Sequence, residues 1–302
     1  MYKKKYGKTI KLFLLDAEPD GRIVCELSNW NGKAYRIPRG MVKDCSDRQD
    51  LKTTAVYLLF GKPDTSTGKA QVYIGEAENV YQRLGSHVSE KDFWNEAVVF
   101  ISKDENLNKA HIKYLESRLH SIANEAQRYD IRNSNTPTKS SISESDQAEM
   151  EEFIEYIKIL INAMGFKVFE PLIKESSDPT TPKLERLYIK AARGANATGR
   201  RTTDGFLVFR GSEIATDTVQ SYRDRGYDKL RDELLDAQLI VPSGNKLVFV
   251  KDYLFSSPSS AAMVVMGRTA NGMKEWKDDK GRELKEIEKS EIKSADKDKD
   301  KS

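Results

Sequence analysis

The strongest constraint on the fold is a pair of β-forming runs, Thr54-Ala55-Val56-Tyr57-Leu58-Leu59-Phe60 and Gln71-Val72-Tyr73-Ile74-Gly75, separated by a Gly/Pro/Asp/Ser loop from Gly61 to Lys69. Two such runs with turn chemistry between them predict a hairpin with a long loop. Downstream, Asn79 is placed to cap a helix carrying Val80, Leu84 and His87, and Glu96 to Ser102 reads as an apolar strand. A longer helix starts near Asn106 with Leu107, Ile112, Leu115, Leu119 and Ile122 at helical spacing, and it ends before Asp130. Upstream, Thr9 to Leu15, Arg22 to Leu27 and Lys33 to Ile37 read as three short strands between turn clusters, a small N-terminal β-element within residues 1–50. Lys43 to Lys52 is a short helix or connector.

Beyond the polar loop Asn133 to Ser143, Ser145-Asp146 caps an amphipathic helix through Phe153, Ile157, Leu160 and Met164, stopped by Gly165. Its apolar stripe from Met150 is core packing. Residues 51–172 thus form one domain with a C-terminal helix, 173–185 a linker, and 186–273 a second small domain. That domain has strand-like Gly205 to Phe209 and Lys246 to Val250 around a charged helix near Tyr227 to Ala237. From Lys274 to Ser302 the chain is almost all charge, a composition expected to be disordered. The fold class is α+β: a small mixed sheet flanked by helices, an N-terminal β-element, and a second small α+β domain. A length of 302 residues allows two modest domains.

Fifty Lys and Arg against 47 Asp and Glu leave a net charge of only +3, so nucleic-acid affinity must come from a local patch rather than a global field. Two cysteines, Cys25 and Cys45, make no disulfide framework and lack zinc-ligand spacing; a reducing cytoplasm is the expected compartment. The basic start Met1-Tyr2-Lys3-Lys4-Lys5 is followed by too short an apolar run for a signal peptide. No stretch approaches the roughly 20 apolar residues a membrane span needs.

The series Val56-Tyr57-Leu58, Val72-Tyr73-Ile74-Gly75, Arg83, Glu116 and an Asn near 133 resembles the GIY-YIG nuclease family over about a third of the chain. Tyr73-Ile74-Gly75 matches the second signature literally. In the first, Ala55-Val56-Tyr57 stands where the family has Gly-Ile-Tyr, keeping the tyrosine. The resemblance implies a metal-dependent endonuclease that hydrolyses phosphodiester bonds of DNA, in a repair, restriction or phage-defence setting by family analogy alone. It implies that Glu116 binds Mg²⁺ or Mn²⁺, a hard cation that keeps several waters and can be held by one carboxylate. Arg83 would clamp the scissile phosphate with its planar fork of donors. Tyr57 would orient or deprotonate the attacking water, with Tyr73 assisting. His87, one helical turn after Arg83, would project into the same pocket; some restriction-enzyme members of the family have a histidine so placed. Asn133 or Asn135, preferably Asn133, would complete the site.

Taken singly, these residues have structural explanations: packing aromatics, a surface ion pair, a solvated helix position. His111 and His120 read as structural. Two functional readings follow, a metal-dependent endonuclease or a nuclease fold with a weak or silent site that holds nucleic acid or a protein partner. Farther on, Ala192-Arg193-Gly194 through Arg210-Gly211-Ser212, with Ser257-Pro258-Ser259-Ser260, Asn271-Gly272 and Trp276, resembles a small domain of uncharacterised function often found behind nuclease modules. There Arg193, Arg200, Arg201 and Arg210 are a candidate phosphate-contacting patch.

Overall fold

The computed structural model describes residues 6–63, 69–171, 186–223 and 228–299. The linker expected at 173–185 lies outside them. The chain divides into two compact units, Met1–Pro171 and Leu172–Ser302, each an α+β assembly around its own sheet.

The first unit begins with strands β1 (Ile10–Leu14), β2 (Ile23–Leu27) and β3 (Gly32–Pro38), followed by three short 3-10 turns between Arg39 and Leu51. The hairpin follows as β4 (Ala55–Gly61) and β5 (Gln71–Ala77), then helix α1 (Val80–Glu90), strand β6 (Trp94–Ser102), helix α2 (Lys109–Ala126), the two-residue β7 (Asp130–Ile131) and helix α3 (Glu144–Ala163). The sheet order is β1-β2-β3-β6-β4-β5-β7, antiparallel except where β7 joins β5 in parallel. The first fifty residues are therefore not a separate β-element. Lys33, Tyr35 and Ile37 pair along β6 opposite Ile101, Val99 and Ala97, so β1 to β3 extend the sheet that carries the hairpin.

Strand β4 is central and buried on both faces, from Ala55 through Phe60. Alternation sends Val56, Leu58 and Phe60 into a core with Val72, Ile74 and the apolar faces of α2 and α3. Tyr57 and Leu59 enter a second core with Val80 and Leu84 of α1, Trp94 and Leu51. Each fully buried Leu, Ile or Phe adds about 1.5–3 kcal/mol, so both faces hold the strand in register. The cysteines fall in different cores, Cys25 in the first and Cys45 in the second. Helix α1 starts where Asn79 accepts from the Gln82 backbone N–H (3.1 Å), and α2 where Asn108 accepts from Ala110 and His111. Helix α3 starts two residues earlier than the sequence implied: the cap is Ser143, not Ser145, and its Oγ accepts from the Asp146 N–H at 3.1 Å.

In the second unit, β8 (Leu187–Lys190), β9 (Asn196–Thr202), β10 (Gly205–Val208), β11 (Glu213–Ile214), β12 (Ile240–Ser243), β13 (Lys246–Phe249) and β14 (Tyr253–Phe255) form one antiparallel sheet. Helices α4 (Gln220–Arg223), α5 (Lys229–Asp236), α6 (Pro258–Met266), α7 (Gly272–Glu275) and α8 (Leu284–Lys299) accompany it. The charged tail expected to be disordered is instead structured through Lys299. Trp276 is fully buried, stacks 4.4 Å from Phe206 and donates from Nε1 to the Pro258 carbonyl at 3.0 Å. Leu284 and Ile287 bury on the same core, and the buried Asp278 accepts from the Lys280 and Arg282 N–H groups at 3.0 and 2.7 Å, so three apolar anchors and one closed turn fix the segment. Among the described residues no helix is long and apolar enough to cross a membrane.

Candidate active site

Strand pairing brings the two signature tyrosines together. Tyr57 lies opposite Gly75 in the β4–β5 register and Leu59 opposite Tyr73, so both phenols rise from one face, ring centres 6.3 Å apart. Gly75 is what lets them do so. A Cβ there would sit 2.5 Å from the Tyr57 hydroxyl and 2.8 Å from Tyr73 Cε1, inside the volume the rings occupy.

Helix α1 supplies the next two groups. His87 is fully buried, its ring centre 5.6 Å from Tyr57 and 5.3 Å from Tyr73, and its Nε2 is 2.7 Å from the Tyr57 hydroxyl. Burial, reinforced by the positive charges of Arg83 and Lys91, lowers its pKa to about 4, so the ring is neutral near pH 7. Its Nδ1 has no hydrogen-bond partner and faces the Glu90 carboxylate at 4.0 Å, which favours the tautomer with the proton on Nδ1. Nε2 then accepts the Tyr57 O–H. Burial also raises the Tyr57 phenol well above its ordinary range, against the opposing pull of Arg83, so this phenol stays protonated. The Arg83 guanidinium sits beside the Tyr57 and Tyr73 phenols, which raise its pKa; among the described residues it has no carboxylate within ion-pair distance.

Glu116, on α2, is half-buried. Burial first, then the neighbouring Glu76 carboxylate, raise its pKa to about 7, while Lys113 and Arg83 pull the other way. Glu76 was not singled out from sequence. The period-2 alternation of β5 was the available signal: Tyr73 and Gly75 share one face, and Glu76 falls on the other, with Val72 and Ile74. The Glu76 carboxylate disfavours ionisation of Glu116, and a divalent cation would relieve that repulsion. Among the described residues no three His, Cys, Asp or Glu side chains converge on one point, so a cation here would take Glu116, with Glu76 beside it, and waters.

Asn133 does not project into the pocket as a reacting group. Its Oδ1 accepts from the Ile74 N–H at 3.1 Å and its Nδ2 donates to the Ile74 carbonyl at 2.7 Å, pinning β5 between the two positions that matter. Asn135 is exposed in the loop beyond. The structure thus brings together Tyr57, Tyr73, Arg83 and His87, puts Glu116 within electrostatic reach of Arg83 and Tyr57, and gives Asn133 a supporting place. It also differs from the sequence reading in which tyrosine is accessible: Tyr57 is fully buried between His87 and Arg83, whereas Tyr73 is half-exposed. His111 and His120 lie elsewhere; His111 links the start of α2 to Asp146 of α3 at 3.8 Å.

In the second unit the arginines are largely committed. Arg193 donates to the Met266 carbonyl (2.8 Å), and Arg201 pairs with Glu291 (2.6 Å) and Glu288 (3.4 Å) of α8. Residues 187–288 match the family model of a domain of unknown function, DUF4357. The DUF4357 match takes in the sheet from β8 to β14 and the buried Trp276, and stops within α8. No curated protein and no solved structure matches the chain.

Proposed function

We propose that residues 54–135 form a GIY-YIG-type nuclease that hydrolyses phosphodiester bonds of DNA with one divalent cation, Mg²⁺ or Mn²⁺. The observation that carries this reading is the convergence of Tyr57, Tyr73 and His87 on one sheet face, ring centres 5.3–6.3 Å apart, with the Arg83 guanidinium interacting with both phenols and Glu116 close enough to feel its charge. A guanidinium without a carboxylate partner is free to take an anion in bidentate fashion, and phosphoryl transfer needs that anion's growing charge to be stabilised. When bound at Glu116, the cation would supply Lewis-acid stabilisation of charge on phosphate oxygens.

The protein's own groups divide the remaining work. Arg83 grips the scissile phosphate. Tyr73, the phenol open to solvent, orients the attacking water and accepts a hydrogen bond from it. Tyr57 acts one step back as a positioning residue: its O–H donates a hydrogen bond to His87 Nε2 and its oxygen faces Arg83, fixing the direction of the guanidinium. Asn133 holds Ile74, and with it the strand that carries Tyr73. The second unit would position or select substrate rather than cut it, and a repair, restriction or phage-defence setting suits such an arrangement.

Cleavage of supercoiled, linear and single-stranded DNA in Mg²⁺ or Mn²⁺ tests the reading, with Glu116→Ala and Arg83→Ala as comparisons. Metal-dependent cutting should appear in the wild type and fall by at least about 10²-fold in each variant. Cutting that survives Glu116→Ala overturns the assignment. Intact DNA binding without cutting by the wild type would replace the nuclease with a silent module that holds nucleic acid.

A further inference from the structure

A path for the rest of the polynucleotide can be read from the cations around Tyr73. The Lys91 ammonium lies 4.6 Å from the centre of the Tyr73 ring, and the Arg132 guanidinium lies 5.8 Å from the centre of the Phe93 ring. Phe93 follows Lys91 by two residues and its ring closes over Gly61, 2.9 Å from where a Cβ there would sit; Gly61 pairs with Gln71 and Leu59 with Tyr73, so Phe93 lies along the same sheet face as Tyr73, two residues farther down β5. Arg132 is fixed there by its backbone N–H, which bonds the Val72 carbonyl at 2.7 Å, and it precedes the Asn133 that clamps Ile74.

Several arginines and lysines of the chain are cancelled by a carboxylate, and these two cations are not. Arg22, Lys33, Arg36, Arg118, Lys109, Arg201 and Arg282 each have a carboxylate within ion-pair distance. Among the described residues neither Lys91 nor Arg132 has one; each is held by its aromatic ring alone. A cation–π contact orients a side chain without neutralising it, so both charges stay available. In a protein of net charge +3, an uncancelled pair beside the candidate site is the local patch that a polyanion requires.

We propose that Lys91 and Arg132 grip backbone phosphates next to the scissile one, so that a DNA strand runs from Arg83 across Tyr73 and along Phe93. This rests on the polynucleotide substrate proposed above. The two cations give the site a preference for extended DNA over an isolated phosphodiester, through phosphate contacts and without base readout.

The test is binding of a fluorescently labelled DNA duplex in EDTA across a salt series, by anisotropy, for the wild type and Lys91→Met/Arg132→Met. A charge-matched control, Lys11→Met/Lys43→Met, removes two exposed lysines elsewhere, and thermal melting checks that each protein is folded. Loss of both grips should weaken binding roughly tenfold or more and reduce the slope of log affinity against log salt by about 2, while the control keeps the wild-type slope. Equal affinity and slope for the double variant and the control overturn the proposal, as does wild-type protein that does not bind DNA. The two readings separate cleanly. Salt-dependent binding that needs Lys91 and Arg132, without cutting in Mg²⁺, sinks the nuclease and keeps the grip; cutting with variant and control alike in binding does the reverse.

Discussion

Glu116→Gln should make the protein more stable while removing the proposed metal ligand. In the folded chain this carboxyl titrates at about 7 instead of its ordinary 4.5, because it is half out of water and faces Glu76. A folded state that holds its proton more tightly than the unfolded state loses stability as pH rises: the loss begins near 4.5, where the unfolded chain ionises, and is complete above about 7. At roughly 1.4 kcal/mol for each tenfold difference in proton affinity, the upper limit is about 3 kcal/mol. Glu116 is partly open to solvent, so screening reduces this to about 1–2 kcal/mol. Glutamine keeps the shape and removes the ionisation. Urea unfolding of the full chain without divalent cations, followed through Trp30 and Trp94 fluorescence, should show Glu116→Gln matching the wild type near pH 4.5 and exceeding it by about 1–2 kcal/mol at pH 8.5. Adding Mg²⁺ at pH 8.5 should then stabilise the wild type by mass action and leave the variant unmoved. Parallel pH profiles for the two proteins, or a variant less stable at pH 8.5, would refute the argument.

The same ionisation predicts that apparent Mg²⁺ affinity, measured by calorimetry, weakens about tenfold for each pH unit below 7, as protons compete for Glu116; affinity flat from pH 5.5 to 8 would exclude that ligand. Gly75→Ala should push the Tyr57 and Tyr73 rings apart, lowering cleavage about 10²-fold while costing only about 1–3 kcal/mol of stability; undiminished cleavage would show that the phenols are not positioned by that close approach. Trp276→Ala should destabilise the second unit by about 3–5 kcal/mol, seen as an earlier melting transition, and a loss below about 1 kcal/mol would contradict its place in the core.

The hairpin was legible because local rules sufficed there. The runs around Tyr57 and Tyr73 are β-forming on both sides of a turn-rich loop, and Asn79 caps α1 as its sequence position implies. Tyr57, Tyr73 and His87 then meet because β4 pairs with β5 and α1 follows at once. Order along the chain did not tell which phenol is buried, because that depends on α1 packing over Tyr57 through His87 rather than on any pattern within β4. Joining of β3 to β6 was hidden for a similar reason: strand pairing at long range leaves no periodicity in either strand. In the second unit one misreading produced another. Trp276, Leu284 and Ile287 are too sparse among charges to look like a core face, so the segment read as disordered; Arg201, whose partners Glu288 and Glu291 lie on that same α8, then looked free to meet phosphate.

The paired hydrogen bonds from Asn133 to Ile74 also bear on how copies of this protein avoid sticking together. Beyond the two residues of β7, the outer edge of β5 would offer the Ile74 N–H and C=O to any passing strand, and exposed edges of that kind template aggregation. A side-chain amide presents a donor and an acceptor in the geometry of a neighbouring peptide, so Asn133 occupies the position that an added strand would take. The residue that steadies Tyr73 is thereby a stopper at the sheet's margin, and replacing it with alanine would leave a strand edge open to self-association.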